Sequence, residues 1–212
     1  MPPKDNSNSR YACRCCGFHT LSEPNFGSYE ICPVCFWEDD PVQNDDPTYK
    51  GCANSVSLKE ARTNFITNAA AEPRNTAHTR GPLSGEVPPP LLLAGLDAEV
   101  RRSKEKAVRI LLLGIARSIK AGRIGVLDGC SAIAATAWPL NLEGPLEDVV
   151  RHFTGVAGEI DDFPSGNTRD LWDAVPLAEK DAELREYERR VRSSVLNDCQ
   201  QLEALLVKDL SD

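Results

Sequence analysis

The sequence predicts two folds in series: a small zinc-ribbon-like β-hairpin domain with one helix, followed by an all-α helical bundle domain. Three observations predict it. Cys13-Arg-Cys-Cys16 and Cys32-Pro-Val-Cys35 pair two C-x-x-C steps across fifteen residues, a spacing typical of zinc sites. Residues 67–92 hold five prolines among small and polar residues with no apolar period, which is linker composition. From Asp97 onward, apolar residues return at three- and four-residue steps, the period of a helix face. The expected division is a disordered polar arm at 1–10, the metal domain at 11–66, the linker at 67–92 and the helical domain at 93–212.

Each C-x-x-C step can present two sulfurs from one turn of backbone. Two such turns face to face fill the tetrahedron of a zinc ion, with Zn–S distances of about 2.3 Å. Gly17 follows the second sulfur, where a tight turn favours a residue that tolerates positive φ. Pro33 restricts the second turn and supplies no competing N–H. The expected ligands are Cys13, Cys16, Cys32 and Cys35. In the first pair Cys15 is the alternative, because adjacent side chains rarely reach one ion together; choosing Cys13 with Cys16 restores the same step on both sides.

Four thiolates leave no position for water, so the expected cofactor is one structural Zn²⁺ rather than a catalytic one. Disulfides and a thioredoxin-like dithiol compete for the same cysteines. A redox C-x-x-C should follow a strand and open a helix within a βαβ unit, and Phe36-Trp-Glu-Asp-Asp-Pro41 is a poor helix start. A deaminase zinc site would need a His-x-Glu, which does not accompany these pairs. Cys15, Cys52, Cys130 and Cys199 read as small buried apolar residues or bystanders. His19 reads as a surface or neighbouring residue outside the ligand set.

The opening residues are polar and lack the apolar core of a signal peptide. The expected location is cytoplasmic, where thiols stay reduced and bind metal. The longest apolar stretch, residues 110–115, is too short to span a bilayer, so no membrane partner is expected. The formal net charge is −8. Such a field repels phosphate and attracts a basic protein, which makes nucleic acid an unexpected partner.

Along the first domain, Tyr11-Ala12 and Tyr29-Glu-Ile31 read as short β segments leading into the two metal turns, with Pro24 and Gly27 as turn signals between them. Metal binding should contribute much of the folding free energy of so small a unit. Residues 36–47 read as a loop. Asn54 or Ser57 suits a helix N-cap, and Glu60 stands three residues after Ser57 as in a capping box. Leu58, Ala61 and Phe65 then share one helical face, which can fold back over the ribbon and cover Phe36 and Trp37.

The runs Cys13-Arg-Cys-Cys-Gly-Phe18, Tyr29-Glu-Ile-Cys-Pro-Val-Cys-Phe-Trp-Glu-Asp-Asp-Pro-Val-Gln43 and Asn54-x-Val-Ser-Leu-x-x-Ala-Arg-x-Asn-Phe65 carry a resemblance. Over residues 11–66 the sequence resembles the small cysteine-rich CPCC family of bacterial proteins. Arg14 stands where that family usually has proline, and Cys52 where glycine is expected. The resemblance implies a zinc-ribbon-like module, found in short bacterial proteins and in toxin-immunity settings. It implies no activity.

In the second domain Val100, Ala107, Val108, Leu111, Leu112, Ile115, Ala116 and Ile119 mark a first helix, with Gly122 as its stop. Residues 124–137 form a second, ended by Trp138-Pro139. Residues 146–153 form a third, with Glu147 and Asp148 suited to the dipole of its first turn. After a loop at 159–168, a helix from about 176 to 207 carries Leu184, Tyr187, Val191, Val195, Leu202 and Leu205 as its stripe. These lengths and connections fit a bundle. Leu91, Leu92 and Leu93 are apolar enough to dock on it. The pattern Asp161-Asp-Phe-Pro-Ser-Gly-x-x-Arg-x-Leu-Trp172 is similar to one in uncharacterised all-helical bacterial proteins.

No Ser-His-Asp arrangement, phosphate loop or H-E-x-x-H occurs in the chain. His152 reads as a packed or surface histidine, and Asp161, Asp162 and Asp170 lack the ligand spacing of a calcium loop. The function predicted is that of a non-enzymatic interaction protein with a structural zinc site, a bacterial immunity protein that masks a basic toxin with an acidic surface. The alternative is a zinc-ribbon nucleic-acid-binding or transcription regulatory protein. The predicted partner surface joins Trp37, Glu38, Asp39 and Asp40 to Asp161, Asp162 and Arg169, an aromatic anchor inside a negative rim. The competing reading has Trp37 covering the metal core and Asp39-Asp40 shaping a turn before Pro41.

Overall fold

The computed structural model describes residues 10–24, 27–89, 98–164 and 166–211. The chain divides near residue 88 into two compact units.

The first unit begins with β1 (Tyr11–Ala12) and β2 (His19–Leu21), an antiparallel pair in which Tyr11 faces Leu21 and Ala12 faces His19. Two adjacent residues on β1 therefore span three on β2, and Thr20 is the extra residue of a β-bulge. Next come α1 (Pro41–Asp45) and α2 (Leu58–Asn68). Ser57 caps α2 in a reciprocal box: its hydroxyl accepts from the Glu60 N–H at 3.2 Å, and the Glu60 carboxylate accepts from the Ser57 N–H at 3.0 Å. Ala69 ends the helix in the left-handed conformation. Leu58, Ala61, Phe65 and Ile66 of α2 are buried, and so are Phe18, Leu21, Val34 and Trp37.

Two expectations are corrected here. Residues 36–47 are not all loop, because Asp40 caps α1 by accepting from the Val42 and Gln43 N–H groups at 2.8 and 3.1 Å, with Pro41 preset for the first helical position. Nor is the expected linker at 67–92 free along its whole length, because residues 70–86 are bonded into the first unit. Ala71 N–H donates to the Cys35 carbonyl at 2.6 Å and Arg80 N–H to that of Pro33 at 3.0 Å, so this segment closes over the second metal turn. Pro73 opens a short 3₁₀ turn, Pro73–His78, within it. Its acidic residues are buried with partners: Glu72 accepts from Ser55, and Glu86 forms a two-pronged pair with Arg80 at 2.5 and 2.7 Å. Residues 1–9 and Leu91, Leu92 and Leu93 lie outside the described residues.

The second unit holds α3 (Ala98–Lys120), α4 (Val126–Ala137), α5 (Gly144–Ile160) and α6 (Ala174–Ser211), with a 3₁₀ turn at Gly166–Leu171. Gly122 takes φ +68° just past α3, as its stop position requires. The third helix runs longer than expected because Val149, Val150, Phe153 and Val156 continue one buried face through Gly155 and Gly158. On α6 the fully covered face is Val195, Cys199, Leu202, Leu206 and Leu210, while Leu184, Tyr187, Val191 and Leu205 are only half-buried. Glu203 ties α6 to α3 through Arg117 at 2.7 Å and Lys120 at 2.6 Å, and Asp198 ties it to His152 of α5. Among the described residues, no helix is long and apolar enough to cross a membrane.

Candidate metal centre

Both C-x-x-C steps fold into the same turn. Gly17 N–H returns to the Cys13 carbonyl at 2.9 Å and Phe36 N–H to that of Cys32 at 2.8 Å; Cys13 and Cys32 N–H in turn donate to the carbonyls of Phe18 and Trp37, each at 2.9 Å. The residue after each second cysteine sits at positive φ, +82° for Gly17 and +63° for Phe36. Hairpin pairing sets the entry to both turns, β1 with β2 for the first and an Ile31–Glu38 bridge for the second. Arg62 of α2 holds the first turn from outside by donating to the Arg14 carbonyl at 2.9 and 3.0 Å.

Sγ of Cys13, Cys16, Cys32 and Cys35 all lie within 4.8 Å of one another, and the four side chains are buried. Cys13 and Cys35 sulfurs are 3.6 Å apart, and those of Cys16 and Cys32 3.7 Å. A disulfide would require about 2.05 Å. The edge of a Zn–S tetrahedron, from a bond length of about 2.3 Å, is about 3.8 Å. The donor set therefore fits a tetrahedral four-thiolate ion. Cys15, although buried, stands outside the set and supplies its backbone N–H to the Cys13 sulfur at 3.4 Å.

The electrostatics agree with that geometry. Burial pushes the Cys13, Cys16 and Cys35 thiols up. Burial acts the same way on Cys32, but hydrogen bonds from the other three cysteines and from Thr20 outweigh it and hold this thiol well below its usual range. Without a cation the pocket cannot carry four ionised sulfurs, and a divalent ion removes that obstacle. His19, half-buried on β2, is outside the cluster, and burial lowers its pKa.

The remaining cysteines offer no comparable site. Cys130 and Cys199 are enclosed in the helical core, where burial pushes both thiols up to about 12, so they are protonated and unreactive at neutral pH. Cys52 is exposed.

Of the residues expected to form a partner surface, Trp37, Asp39 and Asp40 are buried, contrary to that expectation. Trp37, Asp39 and Asp40 are 1 %, 1 % and 4 % exposed, and Glu38 is half-buried. Asp39 accepts from Gly27 N–H, Ser28 N–H and the Ser28 hydroxyl at 2.9 to 3.0 Å, and from the Asn44 amide at 2.6 Å. Burial would raise its pKa, but these donors together hold it below the usual carboxylate range. Asp40 caps α1 and takes the Ala53 N–H at 3.1 Å on its second oxygen. The Glu38 backbone is paired on both sides by the Asn54 amide, which buried Gln43 holds in turn. Residues 37–40 thus build the second metal turn and its support. In the second unit Asp161 and Asp162 are exposed, and Arg169 is paired with Asp181 at 2.7 and 2.8 Å.

Sequence reasoning missed Thr20, whose hydroxyl lies 3.1 Å from the Cys32 sulfur, and the left-handed conformation of Phe36. For Asp40 the sequence offered only a turn before Pro41; the structure makes it the N-cap of α1.

No curated protein matches the chain. Residues 11–86, the metal centre together with the segment that closes over it, match the family model described as Cysteine-rich CPCC.

Proposed function

We propose that this chain is a non-enzymatic interaction protein whose first unit is held folded by one structural Zn²⁺ on Cys13, Cys16, Cys32 and Cys35. The observation that carries the reading is the closed set of four buried sulfurs. Four thiolates saturate a tetrahedral ion, leave no site for water or substrate, and suit zinc among the common divalent metals. A reducing compartment keeps such thiols available. The net charge of −8 favours a basic protein partner such as a toxin and disfavours phosphate backbones. With Trp37, Asp39 and Asp40 buried, the exposed Asp161 and Asp162 and the half-exposed Glu38 are the part of the expected acidic surface available to such a partner.

Elemental analysis of the purified chain tests the metal reading and should return about one zinc per chain. Cys32→Ser should lose the metal and unfold residues 11–86 while the helical unit keeps its circular dichroism. Metal-free protein with the same fold, or iron in place of zinc, would refute it. For the partner, calorimetry against the product of a neighbouring reading frame should give binding that weakens with salt. Salt-sensitive retention on duplex DNA or on RNA would instead favour a nucleic-acid role.

A further inference from the structure

We infer that Thr20 is a positioning residue of the metal centre: its hydroxyl donates to the Cys32 thiolate and holds that sulfur at the ion. The inference rests on the metal reading above and adds a residue to it. Strand alternation would put Thr20 and Leu21 on opposite faces of β2, yet both are buried, at 4 % and 1 % exposure. The bulge accounts for this. Tyr11 and Ala12 pair with Leu21 and His19, so Thr20 is the unpaired extra residue, and a bulge re-aims the side chain it carries.

The side chain is aimed at sulfur. Thr20 Oγ1 lies 3.1 Å from Cys32 Sγ, across twelve residues of chain, in a buried setting. A metal-bound thiolate carries no proton, so the hydroxyl is the donor in the loaded site. Among the described residues, that sulfur is the hydrogen-bond partner of the Thr20 hydroxyl. A buried hydroxyl with one acceptor is costly to misplace, which fixes the rotamer and, through it, the sulfur. The two metal turns otherwise match in their backbone bonds, and the hydroxyl is what distinguishes Cys32 from its counterpart Cys13, which receives the Cys15 backbone N–H instead. Groups that orient a ligand in this way typically contribute about 10–100-fold to metal affinity.

The experiment compares the wild-type chain with Thr20→Val, which keeps the shape and removes the hydroxyl, and Thr20→Ser, which keeps the hydroxyl and removes the methyl. Zinc affinity is read by equilibrium competition with a chromophoric chelator, which reports metal retention whether or not the metal-free chain folds. The Co²⁺-substituted protein supplies a second readout in its thiolate-to-metal charge-transfer band. Thr20→Val should lose about 10–100-fold in affinity and shift that band to longer wavelength, because an unbonded thiolate is the better electron donor. Thr20→Ser should stay near wild type in both. Equal losses in the two variants would show that Thr20 acts by packing and would overturn the inference, as would wild-type affinity and an unshifted band in Thr20→Val. A wild-type chain that takes up no zinc would instead defeat the metal reading itself.

Discussion

Gly17 and Phe36 occupy equivalent positions in two copies of one turn, at φ +82° and +63°, each returning its N–H to the carbonyl of the cysteine four residues earlier. Glycine takes that conformation freely, whereas a residue with a Cβ loses about 1–2 kcal/mol there. At Phe36 the loss is offset by ring contact with His78, the centroids 5.3 Å apart, and by the Ala71 bond to the neighbouring Cys35 carbonyl. Gly17→Val should therefore destabilise the metal-loaded first unit by about 2 kcal/mol or more. At position 36 the usual order should invert, with Phe36→Gly more stable than Phe36→Ala by about 1 kcal/mol. Urea titrations of the zinc-loaded protein measure both.

Asp39→Asn should cost about 1–3 kcal/mol, since an amide would turn a donor toward groups that are themselves donors. Asp161→Asn and Asp162→Asn, at exposed positions, should leave the melting temperature near wild type. Similar behaviour of all three would mean that the Asp39 bonds are not formed in solution.

Gly129 lies where α4 meets α3. A Cβ there would fall 2.3 Å from Cγ1 and 2.4 Å from Cδ1 of Ile119. Gly129→Ala should destabilise the helical unit by about 1–3 kcal/mol through overpacking. Combined with Ile119→Ala, its cost should shrink or reverse, because the added methyl enters the space the isoleucine vacates. Strict additivity of the two substitutions in thermal melts would argue against this contact.

Glu203 gives the helical unit an acid dependence. Burial would raise its pKa, but Lys120 and Arg117 of α3 outweigh that and hold the carboxyl below its usual value. Because the folded state lowers the pKa, the pairing stabilises fully above about pH 4.3, the unfolded value, and is lost as pH falls through the folded one. Glu203→Gln should remove this part of the acid sensitivity, with the largest difference from wild type near neutrality and the smallest at the acid end. Helical circular dichroism followed in denaturant at several pH values reads it.

Proteolysis tests where the units divide. Residues 70–86 are anchored by bonds to Cys35, Pro33 and Ser55, so early cleavage should spare them and fall near residue 89. Early cuts between residues 70 and 86 would place the division where composition alone puts it.

The sequence by itself determined the four-sulfur cluster and most of the helices. The paired C-x-x-C spacing named the four sulfurs because two short turns are the local means of presenting four thiolates. The Ser57 box and the apolar period from Val100 to Ile119 are likewise local signals, written within a few residues of where they act. Tertiary structure decided what depended on distant partners. Prolines at 73 and 82 have linker composition, yet the carbonyls of Pro33 and Cys35 bind the segment around them, through Ala71 and Arg80, to the second two-cysteine turn. Asp39 and Asp40 look like surface charge until Gly27, Ser28, Asn44 and Ala53 arrive to donate to them. Thr20 carries no signal of its own, because its role comes from a one-residue mismatch between two strands that turns its hydroxyl onto a sulfur twelve residues away.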